Sequence, residues 1–241
     1  MSPEPTAPTL SGPSASTLAA LLGADMPAAE DIAPEAYELA ERVRDLVEAV
    51  VLTDVDPAAR AAAAARIAQV TEDLRAAQRA KDSVVQLVRH PNGRYEHLTQ
   101  AGSGRLNPQA PRVEYLNLPT PPEPGETPEP VEIRGRVTLT AQHGGPPGRV
   151  HGGVVATVLD QILGVAASAS GPAGFTVGLE IRYRKATPYD VPLELAARFD
   201  RRVGRKTFAT AEIRAGGVVT AEATAVFVTD RAPAAGPAPQ S

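Results

Sequence analysis

From residue 131 onward the chain alternates. Val131, Ile133, Val137 and Leu139 are separated by Glu132, Arg134, Arg136 and Thr138. In an extended strand such a run puts its apolar side chains on one face and its polar ones on the other. The same period returns in Phe175, Val177, Leu179, Ile181 and Tyr183, set against Thr176, Gly178, Glu180, Arg182 and Arg184. Three further runs follow, "LELAARFD", "TFATAEIR" and "VVTAEATAVFVT", joined by the turns "VGRK" and "AGG". Short joints force neighbouring strands to run antiparallel. One segment breaks the rhythm: from about 151 to 168 the chain is apolar nearly all round and reads as a buried helix. Strand, helix, then four strands predicts a two-layer α+β domain over residues 131–230, one helix against one antiparallel sheet.

The preceding residues obey other rules. Leu39, Val43, Leu46 and Val50 recur at helical spacing, and so do Ile67, Val70 and Leu74, with Ala63 and Ala77 extending that stripe. Between them Asp56 and Pro57 supply a cap and a first helical residue. Residues 34–90 therefore read as an antiparallel helical hairpin whose apolar stripes must dock on something else. Eight of the 24 prolines lie between Pro108 and Pro130, which predicts an extended connector over 91–130 rather than regular structure. Residues 1–33 and 231–241, rich in Pro and Ala, read as weakly ordered or disordered.

Composition narrows the function. The chain of 241 residues carries a formal net charge of −4 and no long basic block, which argues against a nucleic-acid partner. It has no cysteine, so disulfides, thiolate nucleophiles and zinc–thiolate sites are excluded. The four histidines, at 90, 97, 143 and 151, lack metal-ligand spacing, and no metal is expected. No G-x-S-x-G, P-loop or G-x-G-x-x-G is present. The N-terminus lacks a basic n-region and its apolar stretch Leu18–Leu22 is too short to span a bilayer, so a cytoplasmic protein is expected.

The chemistry concentrates in "GRVHGGVVATVLDQILG", residues 148–164. His151, Gly152 and Gly153 open the helix, where unpaired N–H groups and the positive end of the dipole favour an anion or oxyanion. Glycine there admits a ligand close to the backbone. Nine residues past His151, Asp160 sits among Val154, Val155, Val158, Leu159, Ile162 and Leu163. A carboxylate in such company is a candidate general base or nucleophile.

These pieces, with "FTVGLEIRYRKATP", "GRKTFATAEI", "TAEATAVFV" and the upstream "GSGRLNPQAP", resemble the hotdog-fold acyl-CoA thioesterases of the PaaI-like kind. That group includes the mitochondrial members of the thioesterase superfamily. The resemblance covers about 100 residues; the helical hairpin lies outside it. It implies a sheet wrapped around a central helix and hydrolysis of an acyl-CoA thioester. In that scheme Asp160 is the base or nucleophile and the Gly152 N–H polarises the carbonyl beside His151 and Gly153. Thr176, sixteen residues after the Asp, places the water or the carboxylate. Arg205 and Lys206, with Arg201 and Arg202, would meet the phosphates of coenzyme A, which is part of the substrate, so no separate cofactor is expected. The pattern departs at Gly145, where some relatives carry Asn or Gln, and at Gly178, where others carry Ser; Gln142 is a substitute from the loop. The rival is a non-catalytic acyl-CoA-binding module; a dehydratase ranks last, since its Asp and His would lie a few residues apart.

One further expectation comes from spacing. Gly152 and Asp160 are eight residues apart, about 12 Å along one helix. A reacting carbonyl must lie about 3 Å from both its oxyanion donor and its attacking group. One helix cannot supply both, so a homodimer, or a dimer of dimers, with antiparallel helices is expected to share the site.

Overall fold

The computed structural model describes residues 26–79, 86–119, 131–169 and 174–229. Most of the weakly ordered N-terminus, the connector segment 120–130 and the disordered tail expected over 231–241 fall on residues outside that set. Two helices come first, α1 (Pro34–Leu52) and α2 (Pro57–Arg75). Three short strands follow: β1 (Leu87–Arg89), β2 (Tyr95–His97) and β3 (Glu114–Tyr115). Then come β4 (Ile133–Thr138), α3 (Gly152–Ala169), β5 (Phe175–Tyr183), β6 (Pro192–Val203), β7 (Lys206–Ala215) and β8 (Val218–Val228). β1 and β2 form a separate hairpin; the other strands make one antiparallel sheet in the order β3-β4-β6-β7-β8-β5.

The alternation does what period two demands. Ile133 and Val137, Leu193 and Leu195, Ala209 and Ile213, and Ala223, Ala225 and Phe227 all point to one buried face. Against that face α3 lays Val155, Val158, Leu159, Ile162, Leu163, Ala166 and Ala167, spaced to share one side of a helix. The many alanines on the central strands let the helix sit close to the sheet, with Leu, Ile and Phe filling the space between them. By length and composition α3 could cross a bilayer, but its apolar side is the core of this domain.

The N-terminal third corrects the expectation. α2 ends at Arg75, and Leu87–His97 is a β-hairpin turned at Gly93, whose φ of 79° suits glycine. The proline-rich connector still contributes β3, two residues long at the sheet edge, where proline neighbours are tolerated. Asp56 caps α2 as predicted, its Oδ1 accepting from Ala58 N and Ala59 N at 2.9 Å each. The two helices do not pack along their lengths as a hairpin, because Thr53 to Asp56 are extended and α2 buries no residue. Nor does the α1 stripe dock: Leu39, Leu46 and Val50 are exposed. The face turned inward carries Ala40 and Arg44, and it rests on the loop after β2 and on the turn Ala141–His143.

Candidate active site

The loop before α3 is fixed by its backbone. Gly145 N donates to Arg149 O at 2.9 Å, Val150 N to Thr187 O at 2.9 Å, and His151 N to His143 O at 2.9 Å. Gly148, at φ 76°, makes the tight entry. At Gly145 a Cβ would lie 2.8 Å from the His151 Cα, so the loop as folded leaves no room for the Asn or Gln that some relatives carry. Gln142 stays in the turn preceding it.

At the helix start His151 Nδ1 accepts the Gly153 N–H at 3.0 Å. The histidine thus caps the helix through its ring and uses up one of the free donors. Among the described residues the Gly152 N–H has no acceptor. Gly152 is half-buried beside Tyr183, whose hydroxyl donates to Gly152 O at 2.9 Å. The first of the two glycines therefore keeps a free donor at the positive end of α3.

Asp160 lies two turns on, half-buried, and accepts a hydrogen bond at 3.0 Å from Thr176 Oγ1. Strict alternation would send Thr176 away from the helix, opposite Leu179, Ile181 and Tyr183. A β-bulge between Thr176 and Gly178 adds one residue to β5, so Thr176 pairs with the inward Phe227 while Leu179 pairs with the inward Ala225. The bulge re-aims one side chain without disturbing the rest of the strand. Thr157, the other nearby hydroxyl, is spent on its own helix, donating to Gly153 O at 3.0 Å.

A carboxylate held by a hydroxyl on an apolar helix, with an unused N–H at that helix's start, can be compared with known proteins. A model of the thioesterase superfamily matches residues 147–229. Acyl-coenzyme A thioesterase THEM4 of Mus musculus is 36% identical over 86 residues, 35% of this chain and 37% of that protein. The Bos taurus protein of that name is 33% identical over 98 residues, 38% of this chain and 40% of that protein. The match thus spans about two fifths of the curated relatives. The crystal structure of a thioesterase superfamily protein is 31% identical, covering 84% of this chain and 97% of that one with a TM-score of 0.67. The chain belongs to the thioesterase superfamily.

Within this superfamily domain the expected site residues fall into two groups. His151, Gly152 and Gly153 stand at one point of α3; Asp160 and Thr176 stand together about 12 Å along it. The cations are elsewhere. Arg201 and Arg202 lie on β6 rather than in a turn. Thr176, Phe227, Thr207 and Arg202 form one row across four strands, which sets Arg202 about 14 Å from Thr176 at the usual strand spacing. Arg201 pairs with Asp200 and stacks 4.2 Å from the Phe208 ring centre. Arg202 Nε donates to Thr207 Oγ1 at 3.1 Å and Arg205 Nε to Thr229 O at 2.7 Å. Of the four side chains, only that of Lys206 has no hydrogen-bond or ion-pair partner among the described residues. No cluster of His, Asp or Glu there could hold a metal ion.

Two features escape a reading by pattern. Tyr183 reads as an ordinary strand residue, yet its hydroxyl reaches the first glycine. Gln161 is the neighbour of Asp160 and a second polar exception in the apolar helix, which is the signal it left. Its amide joins the helix to Gln100 at 2.5 Å and to Tyr115 at 3.2 Å. Burial pushes the Tyr115 phenol above its ordinary pKa, so it stays protonated across the neutral range.

Proposed function

We propose that the protein hydrolyses an acyl-CoA thioester to a carboxylic acid and free coenzyme A, in a site shared by two copies of the chain. The observation that carries this reading is Asp160, held at 3.0 Å by Thr176 of β5, on the same helix as a free N–H at Gly152. THEM4, to which this chain is similar, is named an acyl-coenzyme A thioesterase. In the general-base route Asp160 takes a proton from water as the oxygen attacks the thioester carbonyl. The Gly152 N–H receives the oxyanion that forms. The C–S bond then breaks, and the proton held by Asp160 passes to the departing thiolate. In the nucleophile route an Asp160 oxygen attacks first, CoA thiolate leaves, and water opens the acyl-aspartyl anhydride. A single turnover in ¹⁸O-water leaves label in Asp160 only by the second route.

The shared site follows from distance. The Gly152 N–H and the Asp160 carboxylate cannot meet one carbonyl within one helix, but two antiparallel helices related by a two-fold axis bring them together. The edge strand β5 supports this assembly. It is nine residues long, pairs on one side only, and exposes Phe175, Val177, Leu179 and Tyr183. A long apolar edge is an invitation to a second strand. Lys206 and Arg205 supply charge for the CoA phosphates.

The test is release of CoA thiol from a panel of acyl-CoA substrates, wild type against Asp160→Asn. The asparagine keeps the shape and can still accept from Thr176, so it removes only the base. Hydrolysis by the wild type and near-complete loss in the variant are expected. An Asp160→Asn protein that keeps most of its activity overturns the mechanism, and a wild type that binds acyl-CoA without releasing thiol is a binding module instead.

A further inference from the structure

Arg44 is 8% exposed. Burying a guanidinium is costly, and the cost falls as its donors find acceptors; the Arg44 Nε finds none among the described residues. Its Nη1 donates to Glu41 at 2.7 Å. Its Nη2 is aimed at three carbonyls, Gly104 at 3.3 Å, Arg105 at 3.1 Å and Asn107 at 2.8 Å. Burial lowers the Arg44 pKa, yet Glu41 beside it favours the charged form. Three carbonyls converge on one cation because the segment is wound tight. Gly104 N donates to Gln100 O and Leu106 N to Leu98 O, each at 2.8 Å, and no Cβ fits at Gly104.

The same segment grips α3. Gln100 Nε2 donates to Gln161 Oε1 at 2.5 Å, and Gln161 Nε2 donates to the Tyr115 hydroxyl at 3.2 Å. Gly102 lies so close to Gln161 that it leaves no room for a Cβ. Gln161 follows Asp160 directly, so the two side chains leave the helix about 100° apart. One is tied to the loop and β3, the other to Thr176 on β5. We infer that Gln161 is a positioning residue, which fixes the rotation of α3 and thereby the aim of Asp160, with Arg44 of α1 holding the loop that grips it. The lever is short: a carboxylate about 6 Å from the helix axis moves about 1 Å for a 10° turn. A misplacement of about 1 Å can cost as much as 100-fold in rate. The inference rests on the hydrolytic reading for its kinetic arm and on geometry alone for its structural arm.

The test uses the full chain with Gln161→Met, which keeps length and removes both hydrogen bonds, Arg44→Met, and the double variant. The expected result for Gln161→Met is a kcat for CoA release lowered about 10–100-fold with KM changed less than about twofold. Losses that add in the double variant would mean two independent structural defects. A single shared path predicts instead that the double variant is no slower than Gln161→Met. A crystal structure of Gln161→Met supplies the second arm, with the Thr176 Oγ1 to Asp160 Oδ1 distance opened beyond hydrogen-bonding range. Unchanged kcat in an active wild-type background, kcat and KM moving together, or an unmoved Thr176–Asp160 contact overturns the inference. Equal thiol release by wild type and Asp160→Asn fails the hydrolytic reading itself and leaves the crystallographic arm to decide this one.

Discussion

Replacing Thr176 isolates one hydrogen bond. Its hydroxyl donates to Asp160 Oδ1 at 3.0 Å, and the carboxylate is half-buried, so solvent replaces the lost partner only in part. A hydrogen bond to a charged group is worth about 1.5–3 kcal/mol net. At about 1.4 kcal/mol per tenfold, that is a rate loss of about 10–100-fold if the bond positions the carboxylate in the transition state. Thr176→Val keeps the shape and removes the hydroxyl; Thr176→Ser keeps the hydroxyl and removes a methyl. The valine variant is expected to lose about 10–100-fold in kcat with KM nearly constant, and the serine variant to stay within about threefold of wild type. The bond also stabilises the folded state, so the valine variant should lose up to about 1.5–3 kcal/mol in urea unfolding, while the serine variant should stay within about 0.5 kcal/mol of wild type. CoA release followed by thiol titration, with urea unfolding as the control, decides it. A valine variant as fast as wild type would show that the contact is incidental.

Other outcomes follow from the same structure. Ile162 is fully buried between α3 and the sheet, and Ile162→Ala should cost about 2–5 kcal/mol in urea unfolding; a loss below about 1 kcal/mol would contradict the packing described. Burial holds His97 and His143 below the ordinary imidazole pKa, so as pH falls below about 6.5 the unfolded chain binds protons that the folded chain does not. Stability should therefore fall from pH 7.5 to pH 5.5, and His143→Gln should flatten that slope; a urea midpoint that stays constant or rises would refute the assignment. Lys206→Ala should raise KM for acyl-CoA about 3–10-fold at low salt, and less at high salt, without lowering kcat; an unchanged KM removes Lys206 from the phosphate site.

The sheet and the central helix were legible because burial on one face imposes a period, and nothing in residues 131–229 competes with it. β5 and β8 lie within a residue or two of where alternation puts them. What alternation could not show is the extra residue at the bulge, which decides that Thr176 meets Asp160. Only the resemblance pointed to that threonine. The N-terminal third was misread for a related reason. A periodic apolar stripe is taken to mark the buried face, but α1 buries Arg44, whose cost is offset in part by Glu41 and by three backbone carbonyls that no local pattern announces. The β1–β2 hairpin did leave a signal, the Asn92–Gly93 pair, at the boundary between the residues read as helix and those read as connector. Gln161 meets Tyr115 across 46 positions of chain and Gln100 across 61, separations at which sequence spacing carries no information.

The central claim is that one site is built by two chains, and subunit complementation tests it most directly. Asp160→Asn removes the carboxylate, and Gly152→Pro removes the free N–H while suiting the first position of a helix. A Cβ at 152 would lie 3.3 Å from the Tyr183 hydroxyl, the tip of a side chain that is 55% exposed and held there by one hydrogen bond, to Gly152 O. Each variant alone is predicted to be nearly inactive. In a mixed dimer one site carries both lesions and the other carries neither, so about half of the wild-type activity per mixed dimer should return. If subunit exchange is demonstrated between the two folded variants and no activity appears, the shared site is wrong.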